Sequence, residues 1–370
     1  QPIPTTDNTS QPARKKRASG GKVFLYAVLA LVLLLALLYV AWLRPAMKKP
    51  ISAPLALPTM VVGPAGEEGS AELQPPSNLE KLPVFVEPAL EAGKKPVCGE
   101  ETAWNVLLVG IDYSDPQYTY GLADVIRVVR VDFVEMKANM VALPRDLLVE
   151  APEGRFTEQN PMKINRSYLF GTPGWGGYLG EGIGANSLAE VIRYNFGVTP
   201  QHYAVVNFDT VINFIDAIGG VEVDLPQAVE DPSPSLGYFP AGPQVLSGER
   251  ALALMRIRTY YSDSFRVSNQ TLVMKAILKK LTQPAMLVRI PSLLEEFKGA
   301  FLTDLSMDQI TNLGMCFLKN FELDNLRAAQ IPNELLTADF AYIPSLGSTS
   351  YTYRWDQRTV DWIHQNLLIE

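Results

Sequence analysis

Asn105–Asp112 (NVLLVGID) and Asp124–Val134 (DVIRVVRVDFV) decide the fold that this sequence of 370 residues encodes. The first stretch is a continuous apolar run that ends in Gly and Asp, which is typical of a buried strand in an α/β sheet. The second stretch and Met140–Leu143 predict two further strands. Together they indicate a central sheet that is buried on both faces and needs helices to cover it.

Apolar residues at helical spacing recur after these strands. Several segments carry one apolar face, and two of them end at glycine, as amphipathic helices do. A capping-box pattern at Ser306–Gln309 opens one more helix. Strands that alternate with helices predict an α/β fold, an αβα sandwich with a central mixed sheet. The predicted helices are Ser187–Phe196, Phe208–Ile218, Gln270–Leu281 and residues 306–321, and a further strand is Val221–Leu225.

An uncharged run lies near the amino terminus. Val23–Leu43 holds 21 consecutive residues without a charge, enough to span a hydrocarbon core of roughly 30 Å at about 1.5 Å per residue. A cleaved signal peptide would have a shorter apolar region of about 7–15 residues and a small-residue cleavage site. Arg44-Pro45 follows here instead, so the run predicts one retained transmembrane helix.

The charges beside this run predict its orientation. Residues 1–22 hold five cations and one acid, whereas three cations follow the run before residue 50. The tail is therefore expected in the cytoplasm and the rest of the chain outside the membrane. Ten prolines among residues 45–96 predict an extended linker. The predicted segments are a basic tail 1–22, the transmembrane helix 23–43, a Pro-rich extracellular linker 44–97, a folded domain 98–322 and an extension of unknown role 323–370.

The composition excludes several classes of protein. The net charge is −7, and residues 44–370 hold 27 cations against 38 acids, which argues against a nucleic-acid partner. The only histidines are His202 and His364, so neither a multi-histidine metal site nor a Ser-His-Asp triad is expected. Cys98 and Cys316 fit either one disulfide or two separate thiols.

Two carboxylates flank the turn between the first two predicted strands. Asp112 ends one strand, and Asp124 opens the next. Strand ends are where α/β sheets place ligand sites, and converging carboxylates supply the oxygen ligands that Mg²⁺ prefers. Asp is also common in turns, where it accepts local hydrogen bonds. The pair alone therefore fits either a metal site or a capped turn.

Basic residues recur at other predicted strand and helix ends. Arg145 follows a strand, Arg256 and Arg258 would face one side of a strand, and Arg266 shares a helical face with Gln270. Guanidinium groups suit bidentate recognition of phosphate, although each motif alone also fits solvated surface cations. Together with the two carboxylates they predict a polyanion site, such as a pyrophosphate bound with Mg²⁺ or Mn²⁺.

One glycine-rich stretch has no phosphate-binding signature. Gly171–Gly184 (GTPGWGGYLGEGIG) contains seven glycines but lacks the GKS or GKT of a Walker sequence. It is therefore expected to be a mobile surface loop and not a phosphate cradle.

The order of these motifs resembles that of the LytR-CpsA-Psr family of bacterial cell-wall enzymes. The similar blocks cover about residues 104–282, and an anchor and a spacer precede them as in that family. In chain order the blocks are NVLLVGID, ADVIRVVRVD, VALPRDLLV, KINRSYLFG, VNFDTVINFIDAIGGVEVDLP, GERALALMRIR and DSFRVSNQ.

The resemblance implies an activity and a set of site residues. It implies a membrane-anchored enzyme that transfers a glycopolymer, such as teichoic acid or capsule, from an undecaprenyl-pyrophosphate carrier to peptidoglycan. The polymer would move as a glycosyl phosphate, with a divalent cation bound by Asp112 and Asp124. The residues implied to bind pyrophosphate or to take part in catalysis are Arg145, Arg256, Arg258, Asp263, Arg266 and Gln270.

The sequence departs from the family's pattern at two positions. Leu122 stands where the family usually has an arginine, two residues before the second acid, and Asn269 stands where an arginine often precedes the glutamine. Arg127 or Arg130 could replace the first of these charges. Their three-residue spacing places them on opposite faces of a strand, so at most one of them can do so well.

Three points stay open at this level. The chain fits a transferase, a non-catalytic outer-surface binder or regulator of lipid-linked wall polymer, or a polyprenyl-pyrophosphate phosphatase. The general base could be Asp112, Asp124 or Asp263. The apolar faces of 208–218 and 270–281 fit a core, and also a pocket for a prenyl chain.

Overall fold

The computed structural model describes residues 41, 44–58, 74–89, 92–113, 120–157, 159–231, 237–257, 263–297 and 299–368. The chain divides into two units, Gln1–Lys49 and Pro50–Glu370. The first contains a short helix, Arg44–Met47. The predicted basic tail 1–22 and, apart from Ala41, the predicted membrane span lie outside the described residues. Within the described ranges, no helix is both long and apolar enough to cross a membrane.

Strands and helices fill the second unit. The strands are β1 Ala103–Ile111, β2 Ala123–Asp132, β3 Lys137–Ala142, β4 Leu148–Val149, β5 Met162–Lys163, β6 His202–Val206, β7 Val221–Leu225, β8 Val229–Glu230, β9 Tyr238–Phe239, β10 Gly242–Leu246, β11 Leu302–Thr303, β12 Leu326–Gln330, β13 Thr337–Ile343 and β14 Ser348–Arg354. The helices are α1 Ile164–Phe170, α2 Gly184–Phe196, α3 Phe208–Ala217, α4 Gly248–Arg256, α5 Asp263–Leu281, α6 Pro284–Leu287, α7 Ile290–Glu296, α8 Met307–Asn320 and α9 Gln357–Leu367.

Six of these strands form one mixed sheet in the order β11-β6-β1-β2-β3-β12 within the described part of the chain. Strands β1, β2 and β3 are antiparallel neighbours, whereas β6 pairs parallel to β1 and β12 pairs parallel to β3. The register of the β1–β2 pair places Ile111 opposite Ala123. Asp112 directly follows β1, and Asp124 lies near the start of β2, at the point where the register of this pair shifts. Both acids therefore lie at the same end of the strand pair.

Helices cover both faces of this sheet, because its strands are apolar on both sides. Val109 and Ile126 face a core that α1, α2 and α9 complete. Val129 and Met140, on the opposite face, pack with α5 and α8. A third cluster joins α3 and α4 to the β7–β10 ribbon. The predicted α/β fold with a central mixed sheet is confirmed, with helices on both faces.

The predicted strands and helices agree with the structure to within a few residues, with two exceptions. Arg256 is the last residue of helix α4, so the strand expected at Arg256–Arg258 is wrong there. Ser247 caps this helix by accepting a hydrogen bond from the backbone N–H of Arg250. Helix α5 begins at Asp263, seven residues before its predicted start. The capping box of Ser306 and Gln309 at α8 is confirmed.

The carboxy-terminal residues belong to the folded unit. Strand β12 adds to the central sheet beside β3, and helix α9 buries Val360, Ile363 and Leu367 against it. Because β12 (LRAAQ) is short and only weakly apolar, its periodicity gives little sign of a buried strand. Cys98 and Cys316 form a disulfide that ties the segment before β1 to helix α8.

Much of the predicted linker packs against the folded unit as well. The backbone N–H of Ser52 donates to the carbonyl of Thr303, and the Tyr203 hydroxyl donates to the carbonyl of Ala53. Further along, Leu79 is buried, and Phe85 packs against the same core. The compact unit therefore begins at Pro50, well before the predicted start at residue 98.

We expect a chain that starts at residue 98 to unfold more readily than one that starts at residue 50. The shorter chain loses Leu79 and the packing of Leu55, Leu57 and Phe85, so the free energy of unfolding should fall by roughly 3–6 kcal/mol. Urea unfolding followed by circular dichroism measures the difference. Leu79→Ala in the longer chain is a control that should account for part of the loss. Equal unfolding midpoints for the two chains would show that the packed linker contributes nothing.

Candidate active site

A cavity of about 530 Å³ opens at the end of the sheet where strand β1 ends and strand β2 begins. Apolar side chains line the greater part of it: Leu108, Val125, Val206, Val211, Leu252, Met255, Met274 and Ile277. Polar side chains gather in the same cavity: Asp112, Asp124, Arg127, Arg145, Arg256, Arg266 and Gln270. Most of the residues predicted for a polyanion site are thus brought to one place.

The two acids lie on either side of the β1–β2 turn. The backbone N–H of Leu122 donates to Asp112 Oδ1 at 2.8 Å, and Arg145 Nη1 donates to Asp124 Oδ2 at 2.5 Å. Partial removal from water raises the pKa of the Asp112 carboxyl, and the charge of Asp124 raises this pKa further. The other carboxylate oxygen, Asp124 Oδ1, is buried and accepts no hydrogen bond from the described residues.

This arrangement fits a divalent cation. A buried carboxylate oxygen without a hydrogen-bond donor is costly, and a cation would compensate it. The described ranges contain no group of three or more His, Cys, Asp or Glu side chains able to hold a metal. An ion held by the carboxylates of Asp112 and Asp124 would have further coordination positions open to water, as Mg²⁺ usually has.

Two arginines lie around these acids at different levels of exposure. Arg145 is one-fifth exposed, and its Nε lies 3.5 Å from Asp146 Oδ2, while Asp146 Oδ1 pairs with Lys163. Arg256 is exposed at the end of α4, with its guanidinium carbon 5.0 Å from the centroid of the Phe208 ring. Both positions orient a guanidinium group at the cavity without burying it fully.

Helix α5 supplies a buried polar layer. Arg266 and Gln270 are one turn apart and both are buried, as their shared helical face predicts. Gln270 Nε2 donates to the carbonyl of Met255 at 3.4 Å, and Gln270 Oε1 accepts from Arg127 at 3.3 Å. Gln270 therefore connects α4, α5 and β2 inside the cavity.

The structure separates the two candidate replacements for the missing arginine. Arg127 lines the cavity, is 3% exposed, and donates to Gln270, Thr271 and the carbonyl of Val267. Burial lowers the pKa of Arg127 to about 10, and the nearby charge of Arg266 contributes to this shift. Arg130 lies on the opposite face of β2, paired with Glu87. Of these two arginines, Arg127 alone lines the cavity.

The remaining predicted residues lie outside the cavity or outside the described part of the chain. Arg258 and the side chain of Asp263 lie outside the described residues. Asn269 is buried beside α4 and donates to the carbonyl of Leu254, so it packs helices together and does not line the cavity. The glycine-rich stretch Gly171–Gly184 does not line the cavity either.

Sequence reasoning missed several lining residues. Phe208 lies under Arg256, and Met255 accepts a hydrogen bond from Gln270 through its carbonyl. Both belong to apolar helical faces, which a sequence cannot distinguish from core. The helices over 208–218 and 270–281 contribute Val211, Met274 and Ile277 to the cavity and other residues to the core. A prenyl chain in this cavity stays a prediction.

The fold and the site together define an α/β protein that is suited to an amphipathic anion. The apolar wall of the cavity could contact a hydrophobic group of a ligand. The arginines and the two acids could bind an anionic group together with a cation. The chain belongs to the LytR_cpsA_psr family, whose sequence profile matches residues 86–367.

Individual relatives are distant in sequence. The polyisoprenyl-teichoic acid–peptidoglycan teichoic acid transferase TagU of Oceanobacillus iheyensis is 29% identical over 218 residues, covering 58% of this chain and 62% of the relative. The regulatory protein MsrR of Staphylococcus aureus is 26% identical over 217 residues, covering 58% of this chain and 60% of that protein. The chain thus matches less than two thirds of the length of these curated relatives.

Solved structures share the fold. The crystal structure of TagV from B. subtilis superposes with a TM-score of 0.57 at 21% sequence identity, covering 73% of this chain and 97% of TagV. This likeness supports the α/β assignment with a central mixed sheet.

Proposed function

We propose that this protein is a membrane-anchored phosphotransferase of cell-wall assembly. It would move a glycopolymer, as a glycosyl phosphate, from an undecaprenyl-pyrophosphate carrier to a hydroxyl of peptidoglycan. The observation that carries the proposal is one cavity that combines an apolar wall, buried arginines and a pair of carboxylates. The name of the O. iheyensis relative, a teichoic acid transferase, supports the same class of reaction.

The cavity suits the two chemically different parts of such a carrier. The apolar wall formed by α3, α4 and α5 would receive the first units of the prenyl chain. The buried guanidinium groups of Arg127 and Arg266 would compensate the pyrophosphate, since charge–charge attraction is strongest where water is excluded. With a pKa of about 10, Arg127 stays charged at neutral pH. Arg145, Arg256, Arg258 and Gln270 complete the proposed anion site.

The two acids would hold Mg²⁺ or Mn²⁺. When bound, such a cation supplies positive charge to the phosphate oxygens of the carrier. The chain's own residues fix the acids for this role. Arg145 holds one oxygen of Asp124 and leaves the other available, and the N–H of Leu122 orients Asp112.

The proposed transfer forms one P–O bond, breaks one P–O bond and needs no further reactant. The acceptor hydroxyl oxygen forms a bond to the phosphorus next to the sugar, and the bridging P–O bond to the carrier breaks. The carrier leaves as polyprenyl phosphate, stabilised by the arginines. The hydroxyl proton passes to a carboxylate of the site, for which Asp112, Asp124 and Asp263 are the candidates.

The anchor explains how enzyme and carrier would meet. The uncharged run 23–43 would cross the cell membrane once, with the basic tail in the cytoplasm and the folded unit outside. The active site would then be tethered to the membrane that carries the lipid-linked substrate.

Reconstitution tests the proposal directly. The full chain in detergent is incubated with a polyprenyl-pyrophosphate saccharide and Mg²⁺, with and without peptidoglycan fragments. We expect polyprenyl phosphate to be released and sugar phosphate to appear on the acceptor. Release without acceptor labelling would identify a phosphatase, and tight lipid binding without release would identify a binder.

A regulatory binder is the second candidate. Leu122 removes one guanidinium from the family's pattern, and one relative is named regulatory protein MsrR. A binder would retain carrier affinity but would release no polyprenyl phosphate, whether or not Mg²⁺ is present. The reconstitution with and without Mg²⁺ therefore separates the two candidates.

We expect cation binding to weaken on acidification at a higher pH than for an ordinary aspartate pair. A protonated carboxylate does not ligate a cation, and the pKa of Asp112 is raised. Affinity should be complete above this raised pKa and lost as the pH falls through it. Mn²⁺ titrations between about pH 4 and pH 8 measure the effect. Affinity that stays constant down to about pH 4, the usual range of Asp, would contradict the raised pKa.

A further inference from the structure

Three aromatic side chains form an exposed group beside the active site. Tyr113, Tyr120 and Trp175, here called the aromatic shelf, are 49%, 38% and 49% exposed. The rings of Tyr113 and Tyr120 are 5.3 Å apart, and those of Tyr120 and Trp175 are 6.1 Å apart. Large aromatic side chains that stay exposed as a contiguous group mark a surface that another molecule covers.

A buried arginine lies next to the shelf. The guanidinium carbon of Arg166 is 5.8 Å from the Trp175 ring and 5.7 Å from the Phe170 ring, although Arg166 is only 9% exposed. Its Nη2 donates to the carbonyl of Ser345 at 3.4 Å, and its buried Nε has no hydrogen-bond acceptor among the described residues. Within the described ranges, no carboxylate pairs with it.

An arginine in this state points to an anionic ligand. Burying a charge without a counter-ion is costly, and Arg remains protonated at any physiological pH. A carboxylate or phosphate from outside would pair with the guanidinium group and satisfy the orphaned N–H. The rings beside it would pack on an apolar face of the same ligand.

The shelf lies beside the proposed cation-binding acids but outside the cavity. Tyr113 directly follows Asp112, and Tyr120 precedes the turn whose Leu122 N–H orients Asp112. The helix that carries Arg166 is held beside Arg145, because the N–H of Asn165 donates to the Arg145 carbonyl at 3.3 Å. None of the shelf residues lines the apolar cavity.

We propose that the aromatic shelf and Arg166 form a subsite for an acidic saccharide. The C–H face of a pyranose ring would stack on the aromatic rings while its hydroxyls stay in water. Its carboxylate or phosphate group would pair with Arg166. The subsite deepens the proposed transferase function, on which its place in the reaction rests, but saccharide binding itself requires neither turnover nor a metal.

Calorimetric titration of the full chain in detergent, without metal, tests the proposal. The acidic probe is a tetrasaccharide of alternating glucuronate and N-acetylglucosamine, and the neutral probe is chitotetraose. We expect Arg166→Gln to weaken binding of the acidic probe by about tenfold or more, with little effect on the neutral one. Trp175→Ala should weaken binding of both, and Trp175→Phe should restore most of it because a ring remains.

Phe340→Ala is the matched control. Phe340 is 69% exposed on the β13–β14 hairpin, where its ring packs on Tyr351 and, among the described ring contacts, on none of the shelf residues. Binding of the acidic probe should not change in this variant. Loss of binding in Phe340→Ala but not in Trp175→Ala would overturn the proposal, as would equal affinities of parent and Arg166→Gln for the acidic probe. Absence of binding of either probe to the parent chain would also overturn it.

Competition identifies the source of the saccharide. Displacement of the acidic probe by a polyprenyl-pyrophosphate saccharide assigns the subsite to the donor, and displacement by peptidoglycan glycan strands assigns it to the acceptor. Displacement by neither would overturn a role in the reaction. Because the probe binds without turnover, the subsite can be confirmed even where reconstitution fails, and it can be refuted even where reconstitution succeeds.

Discussion

Asp124→Asn is expected to reduce transfer by about 10³-fold or more while the fold stays intact. The substitution keeps the shape of the side chain and an oxygen that can accept the hydrogen bond from Arg145. It removes the negative charge that would attract a cation to the buried Oδ1. Since the proposed reaction depends on neutralising pyrophosphate charge, loss of the cation should abolish the chemical step and leave carrier binding partly intact.

Three measurements on this variant make the result decisive. Release of polyprenyl phosphate reports activity, Mn²⁺ titration reports the cation site, and urea unfolding reports stability. Asp132→Asn is the matched control on the same strand, because Asp132 accepts backbone N–H groups of Val134 and Glu135 and an asparagine oxygen can do the same. Asp124→Asn activity within about tenfold of the parent would refute the assignment of Asp124 to the cation.

Arg127→Met is expected to lower activity by about 10²-fold or more, with no loss of stability. Arg127 is buried beside Gln270 and Arg266, and its described hydrogen bonds go to neutral acceptors on α5 and to Met140 Sδ on β3. Burial of this charge beside another arginine is unfavourable in the protein without ligand, and the same burial lowers the pKa of Arg127 to about 10. A methionine of similar length should therefore leave the free energy of unfolding unchanged or higher.

The opposite face of the same strand supplies the control. Arg130 pairs with Glu87 and lies 5.7 Å from the Phe85 ring, outside the cavity. Arg130→Met should therefore cost stability and little activity, the reverse of Arg127→Met. Equal losses of activity in the two variants would show that Arg127 has no special role.

Leu122→Arg in the Arg127→Met background tests the idea of replacement. If Arg127 supplies the charge that the family usually places two residues before the second acid, arginine at 122 should restore a large part of the lost activity. A failure to restore it, with normal stability and cation binding, would mean that Arg127 acts at a different phosphate oxygen.

The parts of the fold that were predicted correctly are those with strong periodicity. Asn105–Asp112 and Asp124–Val134 form the β1–β2 hairpin, and the Ser306 capping box opens α8 where the pattern places it. Strand β12 was not recognised because LRAAQ has little apolar character, and its burial depends on β3 and α9, which are far away in sequence. The packing of residues 50–58 and 74–89 was missed for the same reason, since a Pro-rich segment has no period.

The residues of the candidate site also differ in how well the sequence predicts their positions. Asp112, Asp124 and Arg145 could be predicted because they lie at or beside strand ends, where α/β sheets place ligand sites. The strand expected at Arg256 is wrong, because the preceding residues favour a helix that ends at Arg256, and Arg258 lies outside the described residues. Only the face of β2 decides between Arg127 and Arg130, and the sequence does not reveal which face points to the cavity.

The pairing of β12 with β3 has a consequence for fragments of this protein. The motifs that resemble the family end near residue 282, so a fragment cut there would contain nearly every candidate site residue. It would also leave β3 (KANMVA) as an edge strand with unpaired backbone groups and exposed apolar side chains. Exposed edges of this kind invite pairing between chains. Such a fragment should aggregate, so the smallest stretch that carries the chemistry is not the smallest stretch that folds.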